Sequence, residues 1–282
     1  MSSPKKLKNE VLKTLAYSEV FKYPLSFYQL GTYLGCRCSY KDLVKALREL
    51  EKRRIISQKA GKYCVAQKYA ENWPEKLKET ARKTEQARDI IKRLEKIPWI
   101  KLLALTGPLA ASNPQEKGDV DVFVVAQKKR LWLTRLFIVL YLKSLGKYRT
   151  DKNSVDKVCP NLLIAEDNML WERKKQNLYI ASEIVRMQPI INREKTYWRF
   201  LTANKWCENF FPNFEFEKIE NFQGSNPKVL DLLEKAVYWA QKKYMGKKIV
   251  SEKVTPKLIH FNKNDKTEEI LIKYKENLTK RT

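Results

Sequence analysis

Two aspartates, Asp119 and Asp121, stand two residues apart at the start of an apolar run that ends at Ala126. In a β-strand, positions i and i+2 point to the same face, about 6–7 Å apart. Two carboxylates so placed cannot face an apolar core unpaired without a large desolvation cost. Their alternatives are solvent, basic partners or a hard cation. Mg²⁺ suits such a pair, because it takes oxygen ligands and is usually held by one or two carboxylates plus substrate phosphates. Upstream, the short apolar run 102–106 ends in Gly107 and Pro108. A glycine there lets the backbone approach a ligand closely. Pro108 has no N–H to offer a phosphate, which leaves Thr106 and neighbouring amides for that task.

A third acid would complete a metal-binding set. After the basic turn 127–130 and an apolar helix over 131–145, the spacing predicts a third strand over 155–165. Asp156 is the only acid inside it, and Asn161 falls on the opposite face by strand alternation. Asp156 is the favoured third ligand. If Asn161 faces the pair instead, the set is two acids and an amide, with weaker metal binding.

The order strand, Gly107 turn, about ten residues, then Asp119-x-Asp121 in a second strand resembles the core motif of the nucleotidyltransferase fold shared with DNA polymerase β. The family prefers Ser or Gly where this chain has Pro108. The resemblance implies that Thr106 and Gly107 receive a nucleoside triphosphate and that Asp119, Asp121 and Asp156 hold two Mg²⁺ ions. The implied reaction moves a nucleoside monophosphate from an NTP to an acceptor hydroxyl.

The elements that must position these residues come from a chain of 282 residues, enough for roughly two domains. Lys and Arg number 57 against 32 Asp and Glu, giving a net charge of +25. Such a field favours polyanionic partners: nucleic acid, nucleotides or acidic membrane surfaces. The five cysteines are scattered without a C-x-x-C pair, and His260 is the only histidine, so neither a zinc site nor a disulfide framework is expected. That cysteine usage fits a reducing cytoplasm. The first residues lack the apolar core of a signal peptide, and 131–145 is too short and too charged to span a bilayer, so no membrane association is expected.

Residues 8–65 read as a winged helix-turn-helix. Helices are expected over 9–20, from Ser26 with Gln29 at the capping-box position, and from Ser39 with Asp42 three residues on. On the third helix Tyr40, Leu43, Leu47 and Leu50 form an inward stripe, while Lys41, Lys45, Arg48 and Lys52 form a basic one. A basic stripe supplies the phosphate contacts a DNA or RNA reader needs, although Asp42 and Glu49 dilute it. Two short strands around Lys59-Ala60-Gly61 would be the wing. The expected architecture is α+β: a winged helix-turn-helix over 1–70, a connecting helix over 71–97 with Leu77, Ala81, Ile91 and Leu94 as its apolar face, a nucleotidyltransferase-like core with a small mixed sheet over 98–170, and a C-terminal helical region over 171–282 packed on that core. Within that last region, 227–245 reads as an amphipathic helix with Val229, Leu230, Leu233, Val237, Ala240 and Tyr244 inward, and Tyr179, Trp198 and Trp206 are candidates for base stacking. The alternative to an enzyme is a nucleic-acid-binding protein whose nucleotidyltransferase-like domain is degenerate.

Overall fold

Runs of apolar residues too short for helices become strands when both of their faces are covered. The chain does this twice, with β4 (Ile100–Leu105), in which every residue is buried, and β5 (Val120–Ala126). The structure is a computed structural model describing residues 3–65, 73–150, 152–217, 228–246, 253–261 and 265–280. Its fold is α+β, with two sheets among the described residues. The larger is six-stranded and mixed, in the order β7 (Gln188–Asn192), β4, β5, β6 (Val158–Ala165), β9 (Leu258–His260), β8 (Lys253–Val254). β4 pairs antiparallel with β5, and β5 pairs parallel with β6.

Strand alternation sorts the β5 side chains into two cores. Val122 and Val124 face α4 (Trp73–Lys92) and α6 (Leu131–Ser144), packing with Ala87, Ile91, Trp132 and Ile138. Phe123 and Val125 face α7 (Leu178–Arg186) and α8 (Thr196–Ala203), packing with Ala181, Ile184, Phe200 and Leu201. Asp121 shares the parity of Phe123 and so lies on the α7 side.

Residues 3–65, joined by Trp73, build a second core. Helices α1 (Pro4–Val20), α2 (Phe27–Thr32) and α3 (Tyr40–Lys52) pack with a three-stranded sheet of order β1 (Leu25–Ser26), β3 (Lys62–Cys64), β2 (Ser57–Lys59). The caps are those the sequence predicts. Ser26 and Gln29 form a full capping box, and Ser39 accepts from the Asp42 amide. Three asparagines hold this unit to the remainder. The Nδ2 of Asn113 donates to the Phe21 carbonyl at 2.8 Å, that of Asn213 to the Gly31 and Cys36 carbonyls at 2.9 and 3.0 Å, and that of Asn277, in α10 (Thr267–Thr279), to Ala16 at 3.2 Å.

Several expectations need correction. The region after 171 is not helical throughout. It contributes β7, β8 and β9 to the sheet, so the division at 170 cuts through one hydrogen-bonded layer. Tyr40 is 72% exposed, and Ala46 takes its place in the inward stripe of α3. Leu77 and Ala81 are exposed on α4, whose buried positions are Trp73, Thr80, Lys83, Ala87 and Ile91. In α9 (Asp231–Met245) the expected inward face is met only in part: Val237 packs against the core, while Leu233 and Tyr244 are exposed and Val229 is exposed just before it. The inward face carries Glu234, whose two oxygens accept from the Trp132 and Leu133 amides at 2.8 and 2.9 Å. The start of α6 has no side-chain cap of its own, so the open amides of that buried helix end select an acceptor from α9.

Lys83 fixes the loop that leads into β5. Its buried ammonium donates to the Gln115 and Glu116 carbonyls at 2.8 and 2.7 Å and pairs with Asp156 at 3.0 Å. Lys83→Met keeps the aliphatic stem and strands these acceptors. The expected loss is about 2–4 kcal/mol of unfolding free energy, read as a lower urea midpoint with an unchanged slope.

Candidate functional site

The site is built where β4 gives way to a single short turn of helix, α5 (Gly107–Ala110), beside the start of β5. Asp121 is the second residue of β5, and Asp119 stands one residue before that strand. Asp119, Asp121 and Cys159 can bring one ligand atom each within 4.8 Å of one another. Register explains the thiol, because Cys159 of β6 is the parallel neighbour of Asp121. Further along, Pro160 pairs with Val122 and Leu162 with Phe123. Asn161 is therefore the extra residue of a β-bulge. Its Nδ2 donates to Asp121 Oδ1 at 2.7 Å.

Of the two candidates for third member, the structure places Asn161 beside the pair. Asp156 lies two residues ahead of β6 in a left-handed conformation, φ 54°, with its carboxylate on Lys83 at 3.0 Å and 3.8 Å from Arg82. The expected strand start at 155 is three residues early, and the alternation argument was applied to a residue outside the strand. Among the described residues, no cluster of acid and thiol ligands includes Asp156.

Gly107 is needed for two reasons. Its φ is +62°, where glycine alone is unstrained, and a Cβ there would stand 2.8 Å from Asp121 Oδ2. The Thr106 amide donates to the Asp121 carbonyl at 3.0 Å, locking the turn to β5, and the Thr106 side chain caps nothing. Its position before the turn is as the sequence predicts.

Electrostatics at the pair are tense. Burial, then the neighbouring Asp119 and Glu183 carboxylates, push Asp121 up to about 7, against opposing pulls from Arg149 and Lys266. Arg149 Nε lies 3.3 Å from Asp119 Oδ2 in a partly exposed pair, a contact of modest strength. Burial and the same two aspartates push the Cys159 thiol up to about 12. It stays protonated at neutral pH and so offers little to a hard cation.

Glu183, on α7, is the functional-site residue the sequence reading missed. Burial holds its carboxyl above the usual carboxylate range, against the opposing pulls of Arg186 and the Gly107 backbone. The available signal was an acid flanked by buried Ala181, Ser182, Ile184 and Val185 in a short apolar helix. Tyr179, one turn earlier, lies within electrostatic reach of Glu183 and Asp121. Trp198 and Trp206 pack at the edge of the α7–α8 core, where Trp206 donates to Asn204 at 3.1 Å. His260 pairs with Leu162 in β9 and carries a ring contact from Trp171 at 6.5 Å.

The basic stripe is present on α3. Lys41, Lys45, Arg48 and Lys52 are all exposed, and Tyr40, Lys41, Val44, Lys45, Arg48 and Glu49 line a shallow concavity. The two acids expected to dilute it are both engaged. Asp42 accepts from the Ser39 hydroxyl at 2.7 Å, and Glu49 pairs with Lys8 at 2.8 Å.

An unfolded aspartate titrates near ~3.9, whereas Asp121 keeps its proton up to about 7 when folded. Between these values the folded state binds more protons, so stability falls as pH rises through that window. Asp121→Asn removes this loss. Without divalent cations the variant is expected to melt several degrees above wild type at pH 8, on the order of 1–3 kcal/mol. The difference should fade near pH 4, as checked by calorimetry in chelator. Gly107→Ala is expected to cost roughly 1–3 kcal/mol at either pH through φ strain and collision with Asp121. No protein-family model matches the chain, and a comparison with curated proteins finds no match either.

Proposed function

We propose that the chain is a metal-dependent nucleotidyltransferase with an N-terminal winged helix, acting from the cytoplasm on a nucleoside triphosphate. The observation that carries this reading is the pair Asp119 and Asp121, held together at the start of a buried strand beside a bare glycine turn. Close like charges raise each other's affinity for protons, and a divalent cation satisfies the same demand.

The donor set fits one hard cation better than two. Two carboxylates are gathered, Asp156 is engaged elsewhere, and the thiol is protonated. A bound Mg²⁺ would offset triphosphate charge and lower the pKa of an attacking hydroxyl. Asp119 and Asp121 would hold it, and Asn161 would fix the Asp121 carboxylate orientation through its amide. Gly107 leaves room against Asp121 where any side chain would collide. Arg149 and Lys266 add positive potential on the pair, which favours a polyphosphate.

One observation favours a second reading, a nucleic-acid-binding protein with a degenerate site. Asp156 stands apart from the acid pair on Lys83, leaving two carboxylates there, and Pro108 has no amide to give a phosphate. The winged-helix face, where Lys8 offsets Glu49 and the Ser39 hydroxyl holds Asp42, suits DNA or RNA backbone contacts.

Incubation with Mg²⁺ or Mn²⁺ and each labelled NTP separates the two. Wild type is expected to transfer label to an acceptor, and Asp119→Ala or Asp121→Ala to lose at least ~100-fold, consistent with loss of a preorganised charge-stabilising group. Absence of labelling from all four NTPs sinks the enzymatic reading. For the α3 face, Lys45→Ala with Arg48→Ala is expected to weaken duplex binding and reduce its log–log salt slope by about 2. A slope equal to that of wild type means these residues touch no phosphate.

A further inference from the structure

We propose that the α3 face binds single-stranded nucleic acid, with Tyr40 as the platform on which a base stacks. The inference rests on the nucleic-acid reading of that face and names the form of partner it takes. Tyr40 opens α3 directly after the Ser39 cap and is 72% exposed. Its ring is nevertheless held in place. The Phe27 ring of α2 lies 4.8 Å away, tilted by 55°, and Phe27 itself packs against the core of the N-terminal unit. A ring that is held but left uncovered offers flat apolar surface to a base, with little ordering still to be done. Trp198 and Trp206, the stacking candidates on sequence grounds, are instead taken up at the edge of the α7–α8 core.

The surroundings of the ring select the ligand. Residues three and four apart are neighbours on a helix surface. Tyr40, Val44 and Arg48 therefore form one row, and Lys41, Lys45 and Lys52 run beside it. Tyr40, Lys41, Val44, Lys45 and Arg48 line one shallow concavity together with Glu49. The basic side chains of this face are exposed, and none of them forms an ion pair among the described residues. Glu49 is held by Lys8 of α1 at 2.8 Å. Asp42, two residues after Tyr40, does not share its side of the helix. Uncommitted cations beside a fixed aromatic ring match a phosphate strand with open bases. The cations take the backbone and the ring takes a base. A duplex uses only the first of these, because stacking on a side chain needs a base that is not already stacked in a helix. Helix α3 also holds no Asn or Gln, the side chains that read adenine in a major groove.

Fluorescence anisotropy with labelled oligo(dT), oligo(U) and a mixed-sequence DNA duplex tests this on the full chain. Wild type is expected to bind a single strand more tightly than the duplex at the same salt, and the tighter of oligo(dT) and oligo(U) identifies the sugar. Tyr40→Ala is expected to weaken single-strand binding on the order of tenfold and to leave duplex binding unchanged. Tyr40→Phe keeps the ring and is expected to bind single strands as wild type does. Because Tyr40 is exposed, both variants should melt close to wild type. Single-strand binding that survives Tyr40→Ala overturns the proposal. Equal losses on single strand and duplex also overturn it, and assign Tyr40 to the shape of α3. Wild type that prefers the duplex overturns the single-strand proposal and leaves the nucleic-acid reading of the face standing. Binding to none of the three probes overturns both.

Discussion

The repulsion between Asp119 and Asp121 is the constraint around which the rest of the molecule is arranged. Asp121 emerges from a strand whose next five residues are fully buried, so its carboxyl starts in a poorly solvated place. Asp119 and Glu183 then add charge of the same sign. Left alone, such a group would pull the start of β5 outward to water. The structure prevents this by fastening the backbone. The Thr106 amide holds the Asp121 carbonyl, the Val120 amide donates to Lys157 at 2.8 Å, and β5 is hydrogen-bonded on both sides. The side chain receives one direct bond, from Asn161. The sheet supplies the rigidity, and the acid pair is left short of compensation. That combination is what a cation-binding site requires before its cation arrives.

Positive charge is deployed in support without quenching the pair. Lys83 could have been a counterion for the acids, yet its ammonium is buried among loop carbonyls with Asp156 as partner. It shapes the approach to Asp119 from behind. Arg149 reaches Asp119 because the backbone at 148–149 bonds to Val158 at the start of β6, and the resulting ion pair stays partly exposed. Exposed pairs of this kind are weak and yield to a ligand. The buried Lys83 contact is therefore structural, and the weaker Arg149–Asp119 pair lies at the candidate site.

Much of this could be seen in the sequence, for reasons that are local. β4 and β5 announce themselves as short apolar runs, the Gly107 turn by its Gly-Pro, and α2 and α3 by serine caps whose bonds span three residues. Each signal depends on neighbours in the chain. What escaped depends on distant partners. β7 and β9 are short and of mixed polarity, and they are strands because β4 and β6 offer open edges. The choice between Asp156 and Asn161 turned on a bulge and on where β6 begins, and neither follows from alternation alone. The hydrophobic-face rule holds only in part for α9, because the amides at the start of α6 draw Glu234 inward. Glu183 escapes notice because the group it acts on, Asp121, belongs to a strand far earlier in the chain.

Glu234 and Glu183 show how buried acids serve two ends. Each is an acid that burial holds above its usual range. Glu234 accepts two amides at the head of the fourteen-residue α6, with Arg130 as a charge partner. Removing it would leave two buried donors open, so it is locked in place. Glu183 caps no helix end in this way. It adds to the effect of Asp119 in raising the proton affinity of Asp121. A second acid set near a pair that is already crowded with like charge deepens the demand for positive charge there, the opposite of what Glu234 does for α6.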